Sequence, residues 1–231
     1  MRDFERFEVI TFDCYGTLID WETGILRVLR PLLQRHGHER SDAQILERYA
    51  QLELQAESSH YKSYRKVLRN VVVGFAADLA FEVSDVERRC LEESLADWQA
   101  FPDTAQALGK LATRYRLGVL SNVDDDLFTT TAPKLGVKLD HLVTAQQVGA
   151  YKPSPQFFHQ ALEVVAAPKH AVLHVAQSLH HDVAPARRLG IATVWVNRRH
   201  DRDGFGATVP SRVQADLEVP DLQTLVSRLD L

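Results

Sequence analysis

Two cysteines in 231 residues, Cys14 and Cys90, are too few for a disulfide framework, and their spacing fits no zinc site. A reducing compartment is the expectation. No apolar run reaches the length of a membrane span. An excess of one charge is missing too: 27 Lys and Arg against 31 Asp and Glu leave a net charge of −4, without the basic surface that nucleic-acid binding needs. The opening Met1-Arg2-Asp3-Phe4-Glu5-Arg6 is charged and lacks the apolar core of a signal peptide. A cytoplasmic chain touching neither membrane nor nucleic acid is therefore expected. Repeats and low-complexity tracts are absent as well.

The remaining composition is that of an ordinary globular protein, 45% hydrophobic and 25% charged. The length allows one large domain or a core with a smaller companion. The chain is organised around Val9-Ile10-Thr11-Phe12-Asp13-Cys14-Tyr15-Gly16-Thr17-Leu18. Val9, Ile10 and Phe12 suit a buried strand, and Gly16 permits a tight turn beyond it. Asp13 ends that strand. In open α/β sheets reacting groups gather at the carboxyl ends of strands, where a carboxylate can act as a covalent nucleophile. An Asp that merely caps the following turn is the competing reading.

Residues 20 to 98 read as consecutive helices. Ile25, Leu26, Val28, Leu29, Leu32 and Leu33 give Trp21 to Arg35 a helical stripe. Ser41-Asp42 looks like the cap of a second helix, Tyr61 to Leu79 forms a third, and Ser84 with Glu87 matches a capping box opening a fourth that runs to about Trp98. From Phe101 short strands alternate with helices: strands at Leu117–Leu120, His141–Thr144, Ala171–Val175 and Thr193–Val196, and helices opening at Pro102-Asp103-Thr104, near Leu127–Leu135, at Pro155–Val165 and at Ala184–Leu189. That alternation indicates βαβ units and a parallel sheet. The expected architecture is an α/β, Rossmann-like core from residues 1–19 and 99–231, with an all-helical insertion over 20–98.

Polar residues follow three further strands: Ser121-Asn122, Tyr151-Lys152, and Gln177-Ser178 with Asp182 beyond. Singly, Ser121 could form a turn, Lys152 lie at the surface and Asp182 cap a helix. Together, at one end of one parallel sheet, they face the crevice that holds Asp13. A Lys152 ammonium there favours the ionised form of a desolvated nucleophile. Thr17, Ser121 and Asn122 can donate hydrogen bonds, and Asp182 can hold Lys152 or polarise a water.

With these residues in place the chain resembles the haloacid dehalogenase superfamily of hydrolases over nearly its whole length. Asp13-Cys14-Tyr15-Gly16-Thr17-Leu18 is similar to the first motif, Leu120-Ser121-Asn122 to the second, Tyr151-Lys152-Pro153 to the third and Gln177-Ser178 through Asp182 to the fourth. The resemblance implies that residues 20–98 form a cap closing over the site. It also implies a choice between branches. Phosphatases carry a second Asp two places after the nucleophile and bind Mg²⁺ through the fourth motif; this chain has Tyr15, and Ala176-Gln177 where a Gly-Asp pair is usual. Tyr15 is the residue of the L-2-haloacid dehalogenases.

The implied activity is a metal-independent hydrolysis of a short 2-substituted carboxylic acid, of the (S)-2-haloacid dehalogenase type, with no cofactor. Asp13, Thr17, Lys152, Asp182 and Arg48 are its implied catalytic residues; Tyr15, Ser121, Asn122, Gln177 and Ser178 its implied substrate-binding ones. Arg48 enters because Arg48-Tyr49-Ala50-Gln51-Leu52-Glu53 resembles the cap segment whose arginine assists the halide. The fourth motif is one residue longer than the dehalogenase pattern, and His180 or His181 could supply a base there. The opening motif through Trp21-Glu22-Thr23-Gly24, with Arg198-Arg199-His200 and Gly204-Phe205-Gly206-Ala207-Thr208, also resembles a branch containing an azetidine-2-carboxylate hydrolase. A Mg²⁺-dependent phosphatase and a non-catalytic binding protein are the remaining readings. Trp21, Tyr49, Tyr61, Tyr64 and Phe75 are candidates to line the pocket, and a homodimer is the default assembly.

Overall fold

The computed structural model describes residues 4–58, 60–202 and 204–231; Met1–Asp3, which entered the targeting expectation, lie outside them. Among these residues one sheet is built from β1 (Val9–Phe12), β2 (Arg116–Ser121), β3 (His141–Thr144), β4 (Val172–Ala176), β5 (Ala192–Val196) and β6 (Leu217–Val219). The order is β3-β2-β1-β4-β5-β6, every pair parallel. β1 lies between β2 and β4 and is buried at all four positions, which is why its sequence is apolar without alternation. Phe12 pairs in register with Val119 and with Val175, so the ends of three strands come out side by side. The chain runs from β1 outward to β2 and β3, then returns to β4 on the other side. That reversal opens a crevice at the carboxyl ends of β1, β2 and β4.

Between β1 and β2 the chain is helical: α1 (Trp21–Arg35), α2 (Asp42–Glu57), α3 (Tyr64–Leu79), α4 (Asp85–Arg88) and α5 (Cys90–Ser94), then a 3₁₀ turn Leu95–Asp97 before α6 (Thr104–Leu111). The remaining helices are α7 (Asp125–Thr131), α8 (Ala145–Val148), α9 (Pro155–Val165), α10 (Ala184–Arg188) and α11 (Leu222–Arg228). None of the described helices is long and apolar enough to cross a membrane.

Local chemistry explains most boundaries. Ser41 and Ser84 each close a capping box, with Gln44 and Glu87 respectively. The third helix starts at Tyr64 rather than Tyr61, because Ser63 accepts from the Lys66 amide and caps it there. The expected helix over Ser84–Trp98 is broken into α4, α5 and the 3₁₀ turn. The stretch Leu127–Leu135 likewise begins as α7 and tightens to 3₁₀ over Ala132–Leu135, where Pro133 supplies no amide. β6 was not expected: three residues at a sheet edge carry too little pattern to read.

Candidate active site

Asp13 follows the last residue of β1 and is 7% exposed. Gly16 closes the next turn at φ +95, a conformation that favours glycine; a side chain there would also meet Trp21 Nε1 at 3.0 Å and Gln177 Oε1 at 3.2 Å. The turn returns Thr17 beneath the carboxylate. Thr17 Oγ1 donates to Asp13 Oδ2 at 2.7 Å and accepts from the Gln177 amide at 2.8 Å. Lys152 reaches the other oxygen: Nζ donates to Asp13 Oδ1 at 2.8 Å, to Asp182 Oδ1 at 2.7 Å and to the Leu120 carbonyl at 2.8 Å. The three bonds use all three ammonium protons. Lys152 is 1% exposed, so its charge is held inside the protein.

The electrostatics follow from that sharing. Burial lowers Lys152, but Asp13 and Asp182 raise it more, and it stays an ammonium. Burial pushes Asp182 up, and Lys152 with His174 outweighs it, so its carboxyl lies below the usual range. For Asp13 the balance falls the other way. Burial raises its carboxyl, the Lys152 ammonium lowers it only in part, and the Asp182 charge raises it again. Lys152 does contact Asp13 as expected, yet Asp13 remains the more basic of the two carboxylates.

A line of hydrogen bonds runs on behind. His174 Nε2 lies 3.0 Å from Asp182 Oδ1, and its Nδ1 lies 2.9 Å from Thr11 Oγ1. Nε2 can donate to the Asp182 carboxylate, and Nδ1 pairs with the threonine hydroxyl, which can serve as donor or acceptor. His174 went unnoticed in the sequence because it sits in the middle of the apolar run of β4. A histidine at such a position was the available signal.

The cavity above Asp13 has about 420 Å³ of empty volume, its solvent side included, and is lined by Tyr15, Trp21, Glu53, Glu57, Tyr64, Ser121, Asn122, Lys152, Gln177, Ser178, His181, Asp182 and Thr208 besides Asp13. Most residues named from the sequence are thus brought together. Tyr15 lines it with its ring, its hydroxyl paired with Thr131 Oγ1 at 2.9 Å. Among the described residues, Ser121 Oγ, His181 Nε2 and Asp182 Oδ2 are buried atoms of cavity residues with no hydrogen-bond partner. Gln177 Oε1 accepts from Thr208 Oγ1 at 3.0 Å.

Three expectations need correction. Arg48 is not in the cavity: it lies half-exposed on α2, bound to Asp78 at 2.5 and 2.9 Å and to Gln51 at 2.8 Å. The helical stripe of α2 turns Tyr49, not Arg48, inward. The Asn122 amide is committed to the backbone of Lys152, accepting from its N–H at 2.8 Å and donating to its carbonyl at 3.1 Å. It positions the lysine, and its Nδ2 also donates to Glu57 Oε1 at 3.5 Å on the cavity wall. Of the aromatic candidates, Trp21 and Tyr64 line the cavity; Tyr49, Tyr61 and Phe75 do not.

Leu179–Val183 forms a single π-helical turn, opened by Ser178 accepting from the His181 amide. That turn carries Asp182 to Lys152. It brings His181 to the cavity and leaves His180 outside it. Burial holds the His181 imidazole down at about 4, so it is neutral. Sequence reasoning also missed Glu53, Glu57 and Thr208. Glu53 falls in register with Leu46, Tyr49 and Ala50 on the buried face of α2, and a carboxylate on that stripe was the signal. Among the described residues no group of three or more His, Cys, Asp or Glu side chains is arranged to hold a metal ion.

A buried aspartate at the reversal of a parallel sheet, its two oxygens held by a lysine and a threonine, has the arrangement a carboxylate nucleophile requires. The profile of the haloacid dehalogenase-like hydrolases matches residues 7–190, and the chain belongs to that family. It is 26% identical over 200 residues to haloacetate dehalogenase H-2 of Moraxella sp. (strain B), covering 84% of this chain and 87% of that one. It is 27% identical over 220 residues to (S)-2-haloacid dehalogenase H-109 of Pseudomonas putida, covering 92% and 96%. The L-2-haloacid dehalogenase of Xanthobacter autotrophicus with chloropropionic acid covalently bound shares the fold, with a TM-score of 0.78 at 19% identity over 97% of this chain and 98% of that one.

Proposed function

We propose that this hydrolase displaces a leaving group from C2 of a short carboxylic acid through an ester on Asp13, with an (S)-2-haloacid as substrate. The supporting observation is the Lys152 ammonium at 2.8 Å from the nucleophile's carboxylate, with Tyr15 where a phosphatase has its acid. In the first step an Asp13 oxygen bonds to C2 and the halide leaves with the carbon–halogen electron pair. In the second, water adds to the Asp13 carboxyl carbon, the ester C–O bond breaks, and a 2-hydroxy acid departs. Thr17 and Lys152 hold the two Asp13 oxygens so that one lone pair faces substrate. The unpartnered Ser121 Oγ is suited to donate to the substrate carboxylate, and Tyr15 and Trp21 to pack against its carbon chain. The unpartnered Asp182 Oδ2 is suited to accept a proton from the hydrolytic water. Residues 20–98 act as a cap that excludes bulk water from the ester.

The donor set does not suit Mg²⁺. The ion favours two carboxylates with octahedral space between them, and here the Lys152 ammonium bridges Asp13 and Asp182. Purified protein with EDTA should release chloride from (S)-2-chloropropionate, and Asp13→Asn should abolish it. No halide from the wild type, or halide only with added Mg²⁺, contradicts the reading.

A further inference from the structure

His181 lines the cavity and takes no part in the displacement described above. It stands on the π turn just beyond β4, Ser121 ends β2, and β1 lies between those two strands in the sheet. The two residues therefore flank Asp13 from opposite sides. Each carries a buried polar atom without a partner among the described residues, Ser121 Oγ and His181 Nε2. The state of the ring follows from a count of protons. Ser178 Oγ accepts from the His181 amide at 3.0 Å and lies 3.1 Å from its Nδ1. With the ring proton on Nδ1, both the serine hydroxyl proton and the Nε2 lone pair would lack a partner. With Ser178 donating to Nδ1, only one group is left over, the Nε2–H. Burial keeps the ring from taking a second proton near neutral pH. His181 thus presents a neutral N–H to the cavity, a donor rather than the base its place in the motif suggested.

We propose that His181 Nε2 donates to an oxygen on C3 of the substrate, so that the preferred substrate is a 2-substituted acid bearing an uncharged oxygen on that carbon. This rests on the reading of displacement at C2 and names the substrate class within it. In-line attack by Asp13 sends the leaving group away from the aspartate, and the other three substituents of C2 spread sideways. Ser121, on the β2 flank, takes the carboxylate. The β4 flank is left to C3 or to the hydrogen. A hydrogen or a plain methyl there keeps the Nε2–H enclosed and unpaired, and an oxygen on C3 removes that cost. A charged oxygen is disfavoured by its surroundings. Asp182 is the next residue in the chain and Asp13 lies beside it, while the three Lys152 protons are already given to these two carboxylates and to the Leu120 carbonyl. A hydroxyl, carbonyl or ether oxygen meets no such repulsion.

The test compares two unreactive acids of equal length, 3-hydroxypropionate and butyrate, which differ by a hydroxyl in place of a methyl group. A pocket without a free donor favours butyrate through its apolar area. Calorimetry on the wild-type protein should instead give tighter binding of 3-hydroxypropionate by about tenfold or more, the range set by leaving a buried donor unpaired. His181→Leu should bring that ratio to one or below, and His181→Gln, whose amide offers an N–H at similar reach, should keep part of it. Histidine-ring ¹⁵N spectra should place the His181 proton on Nε2 and show that nitrogen shifting with 3-hydroxypropionate but not with butyrate, a response that a merely structural histidine would not give. Equal binding, tighter butyrate, no binding of either at millimolar concentration, a preference that survives His181→Leu, or a ring proton on Nδ1 overturns the proposal. The wild-type comparison decides even if a variant fails to fold. Halide release from (S)-2-chloropropionate is read separately. Release without a hydroxyl preference sinks this proposal alone; a hydroxyl preference without release sinks the dehalogenation reading alone.

Discussion

At the residue scale, the site depends on one cation shared by two buried carboxylates. Removing it leaves Asp13 with only Thr17 and Asp182 with only His174, which do not replace the ammonium between two buried carboxylates. Lys152→Met should therefore cost about 3–5 kcal/mol in urea unfolding, well beyond an ordinary surface substitution, and abolish turnover. A loss below about 1 kcal/mol would mean the bridge holds nothing. The pH profile follows from the same sharing. Attack needs ionised Asp13, and burial has raised its carboxyl above the ordinary value of 3.8. As pH falls the nucleophile protonates earlier than a free aspartate would, so kcat/KM should decline on an acid limb displaced upward from 3.8. A rate that stays flat below that value contradicts the assignment.

At the scale of elements, one contact ties the helical insertion to the sheet and another packs the insertion on itself. Asp124, beyond the end of β2, accepts from the Tyr64 and Arg65 amides at 2.8 and 3.1 Å, capping α3 from the other part of the chain. Asp124→Ala should lose about 1–2 kcal/mol of stability and raise KM, since α3 carries the cavity residue Tyr64. Gly24 lets α1 lie directly on Trp98; a Cβ there would come within 2.4 Å of the indole. Gly24→Ala should cost about 1–3 kcal/mol by overpacking, read as a lowered urea midpoint. The sequence foretold elements with strong local causes: the apolar β1, the amphipathic α1, the Ser41 and Ser84 boxes. It said less where tertiary contacts decide. Whether Arg48 or Glu53 faces the cavity depends on how α2 rolls against Tyr64, and the π turn at Leu179–Val183 answers to the Lys152–Asp182 contact rather than to local propensity.

For the whole molecule, a parallel sheet that reverses its strand order delivers side chains from β1, β2 and β4 to one crevice, and the insertion between β1 and β2 supplies its remaining wall. The four polar motifs were legible because each lies beyond a strand end, the third one short helix later, and a parallel sheet fixes which end they share. The carboxylates Glu53 and Glu57 were not, because they come from the helical wall, whose orientation no strand pattern records. The central claim is that Asp13 itself bonds to substrate. A single turnover of (S)-2-chloropropionate by excess enzyme in ¹⁸O-water, followed by mass spectrometry of product and of the peptide containing Asp13, tests it. Unlabelled lactate and one ¹⁸O in the Asp13 carboxylate are expected; labelled lactate with an unlabelled Asp13 would mean that water displaces the halide directly.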